Sequence, residues 1–183
     1  MTAMSRQVRG FTLVELVVTV LVLAIALAVA MPAFGALRER MVAMNTFHAL
    51  TVALMSARMA AITHGRPVTV CPSADGLSCR LDLRWDQGWI VYRDPARSPQ
   101  PKDALDILWV EQRAPGPVAV RSTVGRHRVR YQPSGFSGGN NLSLRACSRR
   151  GARLLGAVVV NLGGRARVEW AREAENPPCP YVP

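Results

Sequence analysis

An α+β fold, with one long amino-terminal helix packed on antiparallel β-sheets, is predicted by three features of the 183-residue chain. Apolar residues run almost unbroken from Phe11 to Met31 and then recur at three- and four-residue spacing as far as Ala61. Beyond Gly65 the period falls to about two, in short runs punctuated by Gly, Pro, Asn and Asp. All four cysteines lie in this second region, an even set suited to cross-linking.

The apolar run sets the first constraint. Glu15 is its only charged residue, and at about 1.5 Å per residue the run reaches roughly 30 Å, the thickness of a bilayer's hydrocarbon core. A carboxylate inside such a span costs on the order of 2–3 kcal/mol even on lenient insertion scales, so it demands a partner or a function. Two ordinary readings are open. One is a secretory signal peptide, with Arg6 and Arg9 as its basic region and Ala28-Val29-Ala30 as its cleavage site, although its apolar region is then overlong and contains an acid. The other is a plain single-span anchor whose glutamate snorkels to the interface.

Pro32 follows the run and is expected to kink or loosen the helix, because it lacks an amide donor and crowds the preceding turn. Leu37, Met41, Met44, Phe47, Leu50, Leu54, Ala57 and Ala61 then form one apolar stripe, with Arg38, Glu39, Arg40, Asn45 and Arg58 on other faces. The methionines in the stripe read as core filler, and His48 and His64 as surface residues. Gly65, with Pro67 soon after, is placed to stop the helix.

Strands are expected at Pro67 to Cys71 and Cys79 to Leu83 around an Asp75-Gly76 turn, and at Gly88 to Arg93. Further strands are expected at Asp106 to Gln112, Val118 to Val124, Arg126 to Gln132, Asn141 to Cys147, Leu154 to Asn161 and Arg165 to Trp170. Asp94 to Pro101 and Pro133 to Asn141 are rich in Pro, Gly and Ser and read as loops, and Glu173 to Pro183 as a tail. Of the three pairings open to Cys71, Cys79, Cys147 and Cys179, Cys71–Cys79 with Cys147–Cys179 is favoured. The first closes a short loop and the second pins the tail. A zinc site fits poorly, since no C-x-x-C pair occurs and the three histidines lie far off in sequence.

The formal charge is +11, and Lys102 is the only lysine. From Arg38 to Gln112 nine basic residues face eight acidic ones, whereas from Arg113 to Trp170 eleven arginines stand against Glu169 alone. So one-sided a charge suits an anionic polymer or surface. On a strand, residues two apart share a face about 6.5–7 Å from each other. Arg126, Arg128 and Arg130 are thus expected along one face, and Arg165 and Arg167 along another, with Arg149, Arg150 and Arg153 as a further cluster. Guanidinium groups so spaced suit successive phosphates without reading base sequence. The alternative is a solvated arginine face that protects a sheet edge. Sparse acids, and the absence of Gly-x-Ser-x-Gly or a phosphate loop, argue against catalysis. Neither metal nor cofactor is expected.

A basic leader ending in Gly10, then Phe11-Thr12-Leu13-Val14-Glu15-Leu16 and an apolar helix, resembles a type IV pilin or type II secretion pseudopilin precursor. The resemblance implies cleavage by a prepilin peptidase between Gly10 and Phe11 and methylation of the new Phe11 amine, which keeps its charge. It also implies pairing of that ammonium with Glu15 of a neighbouring subunit. Val68 to Cys79, Gly88-Trp89-Ile90-Val91 and Arg130-Tyr131-Gln132-Pro133-x-Gly135 are further similar to the minor-pilin family that joins FimT with GspH. FimT-type members are implicated in DNA uptake through a Gly-Arg-x-Arg motif, and Gly164-Arg165-Ala166-Arg167 stands here in that form.

The resemblance implies a leader at 1–10 and a long helix at 11–64 that spans the inner membrane at 11–31. It implies a periplasmic or extracellular β-rich domain at 65–183. Its expected partners are other pilins or pseudopilins, the peptidase and double-stranded DNA. Two functions follow, a FimT-like minor pilin or a GspH-like pseudopilin with a purely structural role.

Overall fold

The structure, a computed structural model, describes residues 11–139, 141–172 and 178–179. One helix, α1, runs Leu13–His64, and eight strands follow. These are β1 (Val68–Pro72), β2 (Gly88–Arg93), β3 (Ile107–Gln112), β4 (Val118–Ser122), β5 (Val129–Tyr131), β6 (Leu142–Ser148), β7 (Leu154–Val160) and β8 (Ala166–Trp170). They form two four-stranded antiparallel sheets, ordered β3-β2-β1-β5 and β4-β6-β7-β8. The chain divides into two compact units, the second beginning at Glu39, so the latter part of α1 belongs with the sheets.

In the first unit α1 is apolar from Leu16 to Met31, and none of its most apolar window is buried. The assigned helix continues through Pro32, where the one missing donor is a small fraction of a long hydrogen-bonded ladder.

In the second unit Ala43, Phe47, Leu50, Ala53, Leu54, Ala57 and Ala61 face the sheets. They share one core with Val68 and Val70 of β1, Trp85, Trp89, and Val118, Leu144 and Val158 of the other sheet. Phe47 meets Trp170 of β8 edge-on at 5.0 Å. The expected stripe holds at Phe47, Leu50, Leu54, Ala57 and Ala61 but not at Leu37, Met41 and Met44. Met41 and Met44 are about half exposed rather than filling the core, because successive steps of three residues carry them round the helix away from Leu50. His48 and His64 are exposed.

Two expected strands are revised. Cys79 to Leu83 is irregular, because β1 is already paired on one side with β2 and on the other with β5. No free edge of β1 is left for it. Instead the segment is held by the Cys71–Cys79 disulfide, by the Arg80 N–H donating to the Pro72 carbonyl at 2.7 Å, and by Asp75. The Asp75 carboxylate accepts from the Ser78 hydroxyl and from the Leu77 and Ser78 amides. These bonds, the Ser78 hydroxyl foremost, hold it well below the usual carboxylate range. The strand expected from Arg126 is also shorter, since β5 pairs β1 only at Val68, Thr69 and Val70. Cys147 is joined to Cys179.

Candidate functional site

Three surfaces gather the residues singled out by sequence. The first is the start of α1. The Thr12 hydroxyl accepts from the Glu15 amide at 3.3 Å, which makes Thr12 the cap and puts Glu15 in the first helical turn. There the exposed amides and the helix dipole favour a carboxylate by about 0.3–1 kcal/mol. The Thr-x-x-Glu spacing is a capping-box signal that sequence reasoning passed over. Phe11 is exposed, and Gly10 lies outside the described residues.

The second surface is the outer face of α1 in the β-rich unit. Met41, Met44, Met55, Met59 and Ile62 are each 44–60% exposed. With exposed His48 they recur at helical spacing on one side, opposite the buried Phe47, Leu50 and Leu54. A ridge of flexible thioethers suits packing against other apolar helices.

The third surface carries the arginines, and it differs from a plain strand face. Arg130 lies on β5, but its Nε donates to Asp94 at 2.7 Å and its Nη2 to the Ser98 carbonyl at 3.2 Å. Arg126 and Arg128 precede the strand in the turn after Thr123. Even so, Arg126, Arg128 and Arg130 line one shallow pocket of about 20 Å³ with Gly138 and Gly139. Arg128 Nη1 donates to the Ser98 carbonyl, and its Nη2 lies 2.6 Å from His127 Nε2. Burial, and then the Arg128 charge, push the His127 pKa down. Arg97, in the loop after β2, reaches the same region by donating to Gln132 Oε1 at 3.3 Å.

The Gly-Arg-x-Arg segment splits by role. Gly164 is buried with φ +75°, and a Cβ there would overlap the Gly135 carbonyl oxygen and press on the Tyr131 ring. Arg165 is exposed in the β7–β8 turn, with its amide bonded to Asn161 Oδ1. Arg165 immediately precedes β8, its carbonyl accepting from the Asn161 amide at 3.2 Å, whereas Arg167 lies on β8 and is paired with Glu169 at 2.6 Å. The Ser137 hydroxyl donates to the Asn161 carbonyl at 2.8 Å, so this turn and the arginine pocket are built on the same loop. The third cluster is dispersed into the fold. Arg149 pairs with Asp86, which also binds Arg121, and Arg153 lies 3.6 Å from buried Glu39. Among the described residues no group of acids, cysteines and histidines is arranged to hold a metal ion.

The family model for type II transport protein GspH matches residues 46–164, well over half of the chain. The chain belongs to the GspH family. A prokaryotic amino-terminal methylation motif matches residues 5–31 of this GspH-family chain. Among solved structures, the type IV minor pilin FimU of Pseudomonas aeruginosa is similar over 74% of this chain and 98% of its own, at 12% identity and a TM-score of 0.53. The minor pseudopilin EpsH of the Vibrio cholerae type 2 secretion system matches over 69% and 95%, at 12% identity and a TM-score of 0.48. No curated protein matches significantly in sequence. The FimU likeness bears on the fold alone, a long amino-terminal helix with antiparallel sheets. The family places the chain among the structural pilins and pseudopilins of type IV pili and type II secretion.

Proposed function

We propose that this GspH-family chain is a FimT-like minor pilin of a type IV pilus, inserted in the inner membrane and then assembled into the filament. The observation that carries this reading is the exposed methionine ridge of α1. An apolar helix face left uncovered in water costs roughly 25 cal/mol per Å², and neighbouring pilin helices are the chemistry that would cover it. On this reading prepilin peptidase cuts after Gly10, Phe11 becomes the methylated terminus, and its ammonium meets Glu15 of an adjoining subunit in the filament. The β-rich domain is periplasmic before assembly. Arg165 and Arg126, whose guanidiniums have no partner among the described residues, contact double-stranded DNA through its phosphates, with Arg128 beside them.

The pairing of Arg130 with Asp94 and of Arg167 with Glu169 favours a second reading, a GspH-like pseudopilin that makes no DNA contact. Titration of duplex DNA at two salt concentrations separates the two. The first reading expects affinity to fall steeply with salt, and the slope to drop by about one in Arg165→Gln. A flat or absent response leaves the second. Mass spectrometry of the mature terminus tests the filament itself, since a methylated Phe11 is expected and a chain beginning at Met31 would refute it.

A further inference from the structure

The pocket between β5 and the loop at Ser137–Gly139 has a more specific chemistry than a basic face. Its floor is apolar, formed by Val129, Leu142 and Val160, and its rim is Arg126, Arg128 and Arg130. One carboxylate, Asp94, is bonded to this rim. That carboxylate is 2% exposed and already accepts from the Thr69 hydroxyl at 2.7 Å, the Ser98 amide at 2.6 Å and Arg130 Nε. Three half-buried guanidiniums thus share one spent counter-charge. A guanidinium carries five N–H donors. Arg128 and Arg130 each commit some of theirs to neighbours, while Arg126 commits none to any described residue.

What places Arg126 is the absence of a side chain. A Cβ on Gly139 would overlap Arg126 Nη1, and one on Gly138 would lie 2.8 Å from Gln132 Nε2. Neither glycine has a left-handed φ, so the backbone does not call for them. The space does. The pocket is small, about 20 Å³, and has room at the arginines for an oxygen of a tetrahedral oxyanion.

We propose that this pocket binds a single phosphate group, with Arg126 and Arg128 donating in paired, charge-assisted hydrogen bonds and Arg130 supplying charge from behind. The proposal rests on the DNA reading only for the source of the phosphate, which is either a nucleic-acid backbone or the free ion.

The test uses the full chain in non-ionic detergent, with inorganic phosphate titrated against the arginine Nε–H signals in NMR at fixed ionic strength. Saturable shifts are expected. Binding should weaken by about tenfold in Arg126→Gln and in Gly139→Ala, as befits loss of a bidentate charged contact, and by less than about twofold in Arg150→Gln, whose exposed side chain lies off the pocket. Melting curves establish that each variant is folded, and Arg126→Gln decides the matter if Gly139→Ala is not. Non-saturable shifts, or unchanged binding in folded Arg126→Gln, overturn the proposal. The DNA arm separates the two ideas. Phosphate that displaces duplex DNA identifies the backbone as the source, and phosphate binding without DNA binding keeps the pocket while removing the DNA reading. Arg165-dependent DNA binding in a chain that ignores phosphate does the reverse.

Discussion

Replacing Gly164 with alanine asks what the glycine of a Gly-Arg-x-Arg segment is for. Its φ of +75° lies in the left-handed region, which costs an L-residue about 1–2 kcal/mol. The added Cβ would also overlap the main-chain oxygen of Gly135, 3.2 Å from Tyr131 Cε1 and 3.3 Å from Arg58 Nε. None of these neighbours gives way cheaply, because the Gly135 carbonyl accepts from Arg58 Nε at 3.0 Å and Tyr131 is fully buried. Relieving such overpacking adds about 1–3 kcal/mol. The sum, about 2–5 kcal/mol, corresponds to a melting temperature lower by roughly 5–20 °C for a unit of this size, read by circular dichroism of the full chain in detergent. Arg165→Gln, at an exposed turn position with no side-chain partner among the described residues, should move it by less than about 2 °C. If Gly164→Ala melts with the parent, the argument that this glycine is a packing residue is wrong. If it melts low, loss of DNA binding in that variant says nothing about contact, and only the Arg165 variant does.

Other consequences follow from the same contacts. Removing the Cys147–Cys179 cross-link as a double serine variant releases a loop whose ends are 32 residues apart, worth about 3–4 kcal/mol by loop entropy and measurable as a lower denaturant midpoint. Glu39 is 5% exposed, accepts from the Ser148 hydroxyl at 3.0 Å and faces Arg153. Glu39→Ala should cost about 1–3 kcal/mol, the lower part because Arg153 reaches water. His127 should titrate below the ordinary histidine value of 6.5 in NMR. As pH falls through that value the unfolded chain takes up the proton first, so His127's contribution to stability is present above it and is lost on further acidification. His127→Gln should flatten that fall.

The amino-terminal helix was legible because one signal, apolar spacing, carried it from Phe11 to Ala61, and Gly65 marked its end. The same signal named the buried face from Phe47 to Ala61 and erred at its start, at Leu37, Met41 and Met44. Met41, Met44, Phe47 and Leu50 follow one another in steps of three, and each such step turns the position by about 60° around the helix. Met41 and Met44 therefore lie away from the buried face on which Phe47, Leu50, Leu54, Ala57 and Ala61 sit, and Ala43 and Ala53 complete that face. The strands were legible where alternation coincided with an open partner edge. Cys79 to Leu83 has the alternation but not the edge, and nothing within the segment itself reveals that β1 is paired on both sides.

For the arginines the limit is of another kind. A period of two states which side chains share a face, but it cannot state what waits opposite them, and here that decides which charges are available. Arg130 meets Asp94 from 36 residues away in sequence, and Arg167 meets Glu169 on its own strand. Only the second pairing was within reach of sequence reasoning, through the same two-residue spacing that grouped the arginines. Conversely Arg126 joins Arg128 at the pocket without being on the strand at all, because Gly139 leaves room for its guanidinium across a loop. The charge excess of the second half of the chain is therefore a poor guide to the size of its binding surface. Much of that excess is spent inside the fold on Asp86, Asp94 and Glu39. What stays free for an anion is set by a glycine and a turn.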